Sequence, residues 1–141
     1  MSVLLQMSDT HFGTEQAPVV NALVQLAQRL RPDLVVLSGD ITQRAHTGQF
    51  EAARRFMDQL GAPRLVIPGN HDIPLFNAWA RLMRPYAGLR AAFGDELEPQ
   101  FSSPGMLVLA VNTTRAHRHK NGEVSAAQVA RVAARLAEAT P

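Results

Sequence analysis

The stretch Leu34–Asp40, Leu-Val-Val-Leu-Ser-Gly-Asp, carries the strongest indication of the fold. Its first four residues form a continuous apolar run, which is typical of a β-strand covered on both faces. A glycine and a carboxylate follow directly where the strand would end. This pattern predicts a strand in the interior of a parallel sheet, with polar groups at its carboxyl end, where ligands bind in such sheets.

Two further apolar runs flank this stretch. Val3–Met7 precedes it, Leu65–Ile67 follows it, and each leads into polar residues. Between the runs, apolar residues recur at helical spacing, in one segment that ends before Pro32 and in a second over Thr47–Leu60, where Gly61 marks the C-terminal stop. The alternation of strand and helix predicts an α/β fold with a parallel sheet and right-handed crossovers.

The second half of the chain has a weaker pattern. We predict a helix over Leu75–Leu82, a turn-rich segment over Pro99–Gly105 and a strand over Met106–Val111. A polar loop over Arg115–Gly122 and a helix over Ser125–Glu138 follow. Trp79 is expected to pack on the apolar side of the first helix, and Ser125 to cap the last. An alternating pattern would continue with another strand, so we expect the fold to be incomplete at its C-terminus.

Length and composition exclude several classes of protein. A chain of 141 residues with 46% hydrophobic residues predicts one globular domain over 1–141. The absence of cysteine rules out disulfides and thiolate metal sites. No segment reaches the roughly 20 apolar residues of a membrane helix, and no signal-peptide pattern is found, so we expect a cytoplasmic protein. The net charge of +2, without a dense basic block, predicts no specific nucleic-acid partner.

Three short polar motifs follow the three predicted strands: Asp9-Thr10-His11, Gly39-Asp40 and Gly69-Asn70-His71-Asp72. Because residues two apart at a strand end point to the same side, the first motif can direct a carboxylate and an imidazole at one cation. Asp40 can enter the same space, and its two oxygens can bridge two ions. Asn70 offers an amide oxygen. Such oxygen and nitrogen donors suit Mn, Fe, Zn, Co or Ni.

The third motif also carries candidate catalytic groups. His71 can act as a proton donor or as an electrostatic group in the transition state. Asp72 can orient that imidazole by accepting its N–H hydrogen bond. Gly39 and Gly69 allow tight turns and close approach beside the ligands. Each motif alone is also compatible with a polar turn or a cap, but all three in order predict a metal site.

Together the motifs resemble the calcineurin-like metallophosphoesterase superfamily, and more narrowly its bacterial cyclic-nucleotide phosphodiesterase-like branch. The family match runs over nearly the whole chain, from Leu4 to about Leu136, and residues 39–43 and 68–74 carry the branch-level similarity. The resemblance implies the N-terminal part of a four-layer α/β/β/α sandwich that lacks the C-terminal strands. It also implies two divalent or trivalent metal ions, Fe, Mn, Zn or Co. Asp9 and His11 would bind one ion, Asp40 would bridge both, and Asn70 would bind the second.

The resemblance further implies phosphoester hydrolysis, most simply by a phosphodiesterase that uses a metal-bound hydroxide as nucleophile. His71 would assist at the phosphoryl oxygens or the leaving group, with Asp72 supporting it. Cyclic nucleotides, glycerophosphodiesters and lipid-linked phosphates all fit such a site as substrates.

The later metal ligands of the family have no match in this chain. Family members continue with a strand that ends in a metal-binding histidine and with a Gly-His-x-His motif. His117-Arg118-His119 has the spacing but no preceding glycine, and it lies before the last helix, so we expect an exposed basic loop. We therefore expect the chain alone to bind metal poorly and to turn over slowly. The alternatives are a non-catalytic module that self-associates through an exposed apolar surface, or a half-site completed by another polypeptide.

Overall fold

Two small β-sheets and five α-helices make up residues 2–118 and 120–139, the part of the chain that the computed structural model describes. The strands are β1 (Leu4–Ser8), β2 (Leu34–Ser38), β3 (Arg64–Ile67), β4 (Gln100–Ser103) and β5 (Met106–Leu109). The helices are α1 (Ala17–Leu30), α2 (Thr47–Asp58), α3 (Ala78–Met83), α4 (Ala87–Phe93) and α5 (Ala126–Glu138). Within these described residues, no helix has the length and apolar character needed to cross a membrane.

The first sheet is parallel, with the strand order β1-β2-β3. In its register, Leu5 lies beside Val35 and Val36 lies beside Leu65. The predicted order of strand, helix, strand, helix and strand is therefore confirmed. All four apolar residues of β2 are buried, as its continuous apolar run predicts for a central strand.

The central strand separates two apolar cores. Val35 and Leu37 point toward the core built with α1, α2 and α4. Leu34 and Val36 point to the opposite face, where they pack with residues of β3 and of the β4–β5 hairpin. Successive side chains of a strand point to opposite faces, so one apolar run serves both cores. Helices thus cover one face of the sheet and a second sheet covers the other.

The second half of the chain differs from the prediction in its strands. Gln100–Ser103 is a strand, although two serines and the neighbouring prolines indicate turns, and it pairs antiparallel with β5. Pro104 and Gly105 form the connection between the two strands. The predicted strand after Pro99–Gly105 therefore exists as β5, but it belongs to a separate hairpin. This hairpin supplies the second sheet that the predicted sandwich requires.

The helices after β3 also differ from the prediction. α3 begins later than expected, and α4 was not predicted. The prediction that Trp79 packs on the apolar side of this helix is wrong, since Trp79 is 72% exposed. Arg81 is buried on α3 instead, because its guanidinium donates to the carbonyl oxygens of Pro74 and Arg118. These hydrogen bonds turn the arginine-bearing side of the short helix toward the protein.

Helix α5 lies against the hairpin through a polar cluster around Glu98. Ser125 caps this helix by accepting a hydrogen bond from the Gln128 N–H, as predicted. The Glu98 carboxylate accepts hydrogen bonds from the Asn112 N–H at 3.0 Å and from the Gln128 amide, and it pairs with Arg131 at 3.1 Å. Burial raises the pKa of Glu98, but these hydrogen bonds and the nearby arginines outweigh it and hold the pKa below its ordinary value.

We predict that Glu98→Gln lowers the free energy of unfolding at pH 7 by about 1–2 kcal/mol, because it removes a charged acceptor from this cluster. A lowered folded-state pKa stabilises the protein above the ordinary value of 4.5, and this stability is lost as pH falls through the lower folded value. The urea unfolding curves of the two proteins should therefore converge as pH falls below the lowered folded-state pKa of Glu98. Glu138→Gln at the exposed end of α5 should cost about 0.5 kcal/mol or less, and an equal cost for both variants would contradict this account.

Candidate metal centre

The backbone pairing of β1 and β2 continues beyond the ends of both strands. Asp9 donates its N–H to the Gly39 carbonyl at 3.2 Å, and His11 donates to the Asp40 carbonyl at 3.0 Å. Phe12 then donates to the Ile41 carbonyl at 2.8 Å. This extended pairing places the first polar motif directly beside the second, as the parallel register predicts.

The pairing brings three potential ligands together. Asp9, His11 and Asp40 each offer a ligand atom, and these atoms lie within 4.8 Å of one another. Among the described residues, the buried Nδ1 atom of His11 has no hydrogen-bond partner. A buried nitrogen without a partner is costly, so this atom is well suited to hold a cation.

The same three residues have left-handed backbone conformations. Their φ angles are 54° for Asp9, 44° for His11 and 38° for Asp40. Residues other than glycine adopt this region rarely, and such strain clusters at functional sites. The backbone therefore holds these side chains in place through the surrounding hydrogen bonds rather than through local preference.

Asn70 joins Asp9 and Asp40 on the wall of a cleft of about 390 Å³. Residues 113–115, 118 and 120–122 line the cleft as well. His11 lies on an adjoining cleft, which it shares with Asp9. Asp9 thus lines both clefts, and Asn70 is exposed on the larger one.

The loop after β3 docks tightly onto the loop after β2. The His71 N–H donates to Oδ1 of Asp40 at 3.0 Å, which positions that carboxylate. A Cβ atom on Gly69 would lie 2.0 Å from the Asp40 nitrogen and 2.2 Å from its Oδ1. Only glycine fits here, as the predicted close approach beside the ligands requires.

Asp72 does not orient His71, so that prediction is wrong. Its carboxylate is buried and accepts hydrogen bonds from the N–H groups of Ile41, Thr42 and Gly69 and from the Thr42 hydroxyl, at 2.7–3.0 Å. Burial raises the pKa of Asp72 above its ordinary value, against the lowering effect of these hydrogen bonds. Because the carboxylate accepts hydrogen bonds from backbone N–H groups of both loops, it links the loops to each other rather than orienting the His71 imidazole.

His71 is oriented by a backbone carbonyl instead. Its Nδ1 lies 3.1 Å from the carbonyl oxygen of Gln43, so Nδ1 carries the proton in this contact. Its ring meets the His11 ring edge-on, with centroids 5.1 Å apart. The Nε2 atom remains the one that can act on a substrate. Sequence reasoning missed this contact because a carbonyl oxygen has no residue-specific signal.

The structure therefore brings together the predicted ligands Asp9, His11 and Asp40, with Asn70 on the shared cleft. Their roles stay predictions. In the polar loop, His117 is exposed as expected, whereas His119 lies outside the described residues. Sequence reasoning also missed the buried Arg81, since an arginine in a short helix normally faces solvent.

Comparison with known proteins points to one family. The family model described as calcineurin-like phosphoesterase matches residues 2–121. The chain is 29% identical over 160 aligned positions to a cAMP/cGMP dual specificity phosphodiesterase of Mycobacterium tuberculosis, covering 99% of this chain and 46% of the relative. It is 26% identical over 124 positions to a probable cyclic nucleotide phosphodiesterase of Synechococcus, and this match covers 82% of this chain and 45% of the relative.

A third relative matches more strongly over a shorter segment. The chain is 39% identical over 83 residues to the glycerophosphodiester phosphodiesterase GpdQ of Enterobacter lignolyticus, covering 50% of this chain and 29% of the relative. The chain thus spans less than half the length of each of these three relatives.

We predict that Gly69→Ala lowers the free energy of unfolding by about 1–3 kcal/mol, because the added methyl group collides with the Asp40 backbone. Gly48→Ala is the matched control, since its new methyl group meets no atom within 4 Å and should leave stability unchanged or slightly higher. Chemical denaturation of the two variants checks this. Equal stabilities would show that the two loops are not in close contact.

Asp72→Asn should destabilise the protein by at least about 2 kcal/mol, because an amide NH₂ would face backbone donors that the carboxylate now satisfies. Thr42→Val removes only the hydroxyl from the same cluster and should cost less. Thermal and urea unfolding measure both. A smaller loss of unfolding free energy for Asp72→Asn than for Thr42→Val would contradict the role of the Asp72 carboxylate in joining the two loops.

Proposed function

This chain belongs to the calcineurin-like phosphoesterase family, and we propose that it carries metal ligands and a catalytic histidine of a phosphodiesterase with a dinuclear metal centre. The observation that carries this proposal is the convergence of Asp9, His11 and Asp40, whose ligand atoms lie within 4.8 Å of one another. The buried Nδ1 of His11 supports it, because a metal bond would satisfy that atom.

The donor set fits metal ions of the predicted kind. Carboxylate oxygens and an imidazole nitrogen bind Mn, Fe, Zn or Co, and no thiolate is present in the sequence. We assign Asp9 and His11 to the first ion, Asp40 to both and Asn70 to the second. Oδ1 of Asp40 accepts the His71 N–H, which restrains this carboxylate and supports a ligand role for it.

Bound metal ions supply Lewis acidity toward phosphoryl oxygens and activate water at neutral pH. The chain's own contribution to chemistry is His71. Because the Nδ1–H donates to the Gln43 carbonyl, Nε2 is the nitrogen that faces a substrate. In the neutral ring Nε2 accepts a proton, and in the protonated imidazolium it donates one to a phosphoryl oxygen or to the leaving oxygen. Asp72 acts at a distance, by holding the loops on which Asp40 and His71 lie.

The proposed substrate is a phosphodiester, in keeping with the relatives that are named cyclic nucleotide and glycerophosphodiester phosphodiesterases. We propose that residues 1–141 act as one incomplete phosphoesterase domain. Two ions need more protein ligands than the four side chains assigned here, so this chain alone should bind metal weakly and turn over slowly.

A second candidate function is supported by one exposed surface. Leu75, Phe76, Trp79, Leu82 and Met83 are all exposed, by 46% to 83%. An apolar surface of this kind favours self-association, which would suit an interaction module without catalytic activity.

We predict that Asp40→Asn weakens Mn²⁺ binding by at least about ten-fold, because a bridging carboxylate serves both ions. Asparagine tolerates the left-handed backbone at this position, so the change tests the ligand rather than the fold. Isothermal titration with Mn²⁺ measures the affinity, and Asp95→Asn, an exposed aspartate away from the centre, is the control.

Equal Mn²⁺ affinity in Asp40→Asn and Asp95→Asn would disprove the ligand assignment. A wild-type chain that takes up no Mn²⁺ but self-associates in size-exclusion chromatography with light scattering would favour the interaction module instead.

A further inference from the structure

A small cleft beside His71 carries three cationic side chains, those of Arg44, Arg81 and Lys120. Its volume is about 180 Å³. Among the described residues, no acidic side chain lines it. Asn70 and Lys120 line both this cleft and the larger cleft of the candidate metal centre, so the two spaces adjoin. A concentrated positive charge therefore lies next to the proposed reaction site.

Arg81 makes this cleft unusual. It is only 8% exposed, and its guanidinium donates to the carbonyl oxygens of Pro74 at 3.2 Å and Arg118 at 2.7 Å. In the described part of the chain it forms no ion pair with a carboxylate. A guanidinium has five N–H donors, so these two contacts leave donors for a further acceptor. A buried charge without a counter-charge is costly, which favours an anion at this position.

The two other cations are also without a carboxylate partner in the described residues. The guanidinium carbon of Arg44 lies 5.2 Å from the centroid of the Phe76 ring, a contact that holds the side chain without neutralising it. Three like charges around one small space repel each other. An anion between them would remove this repulsion.

The cations of the larger cleft are engaged differently. Arg118 pairs with Glu123 at 3.1 Å. Arg115 donates to the carbonyl oxygens of Asn112 and Thr114 and to the Gln128 side chain. Arg118 therefore has a carboxylate partner, and Arg115 is held by two carbonyl oxygens and by Gln128 of α5, so the smaller cleft is the better anion site.

We propose that the cleft of Arg44, Arg81 and Lys120 is a metal-independent phosphate subsite that holds a second phosphate group of the substrate. Its volume lies below the roughly 300 Å³ at which sites for whole small molecules begin, so it suits one group rather than an entire substrate. A phosphate dianion matches three positive charges better than a carboxylate does. The substrate class, which rests on the proposed function, is then a phosphodiester with an additional phosphate.

The test is an isothermal calorimetric titration of the EDTA-treated chain with inorganic phosphate at low ionic strength. Lys120→Gln and Arg44→Gln should each weaken binding by about ten-fold, because each removes a charged donor from the phosphate. Arg29→Gln removes the same charge from the exposed end of α1 and should bind phosphate as the wild type does. Acetate should bind the wild-type chain more weakly than phosphate. Circular dichroism confirms that each variant is folded.

Equal phosphate affinity in all four proteins, or no phosphate binding by the wild-type chain, would overturn the subsite. Phosphate binding that appears only after Mn²⁺ is added, and that ignores Arg44 and Lys120, would also overturn it while leaving the metal centre intact. Acetate binding as tight as phosphate binding would overturn the assignment to phosphate. Retained phosphate binding in a chain that takes up no Mn²⁺ would support the subsite and contradict the proposed metal centre.

Discussion

A buried carboxylate joins the loops on which the candidate site depends. Asp72 is only 1% exposed and accepts hydrogen bonds from the backbone N–H groups of Ile41, Thr42 and Gly69. These donors belong to the loops that follow β2 and β3, so one side chain connects the carboxyl ends of two strands. Charge-assisted hydrogen bonds are directional, whereas apolar packing is not. The relative position of the two loops is therefore fixed without any ligand.

Further hydrogen bonds between these loops explain how the site tolerates a strained backbone. Asp9, His11 and Asp40 all have positive φ angles, a conformation that costs of order 1–3 kcal/mol at each such residue. The cost is offset by the extended pairing of the first two loops and by the contact of the His71 N–H with Asp40. The side chains of the three candidate ligands are thus held by protein contacts, so the binding of a cation would need little reorganisation.

The sequence predicts the first sheet because the sheet follows from regular spacing, and the apolar run of Leu34–Leu37 is typical of a central strand. The expected convergence of Asp9 and His11 is also observed. Both residues lie beyond β1 with positive φ angles, however, so it depends on the backbone hydrogen bonds of that loop rather than on strand alternation. The second half of the chain lacks regular spacing. Gln100–Ser103 becomes a strand only because β5 pairs with it across Pro104-Gly105, and this is a tertiary contact. Likewise, the partners of Asp72 are backbone N–H groups, which carry no residue-specific signal.

The charges of the site are distributed unevenly. The carboxylates of Asp9 and Asp40 lie on the larger cleft together with cationic side chains, whereas the charged side chains of the smaller cleft are all cationic: Arg44, Arg81 and Lys120. Under the proposed function, the two carboxylates repel an anionic phosphoester at the positions of the ions until cations neutralise them. The cationic cleft attracts the same substrate whether or not the carboxylates are neutralised. The site would then capture its substrate by the group that does not react, and only metal loading would let the reacting phosphorus approach His71.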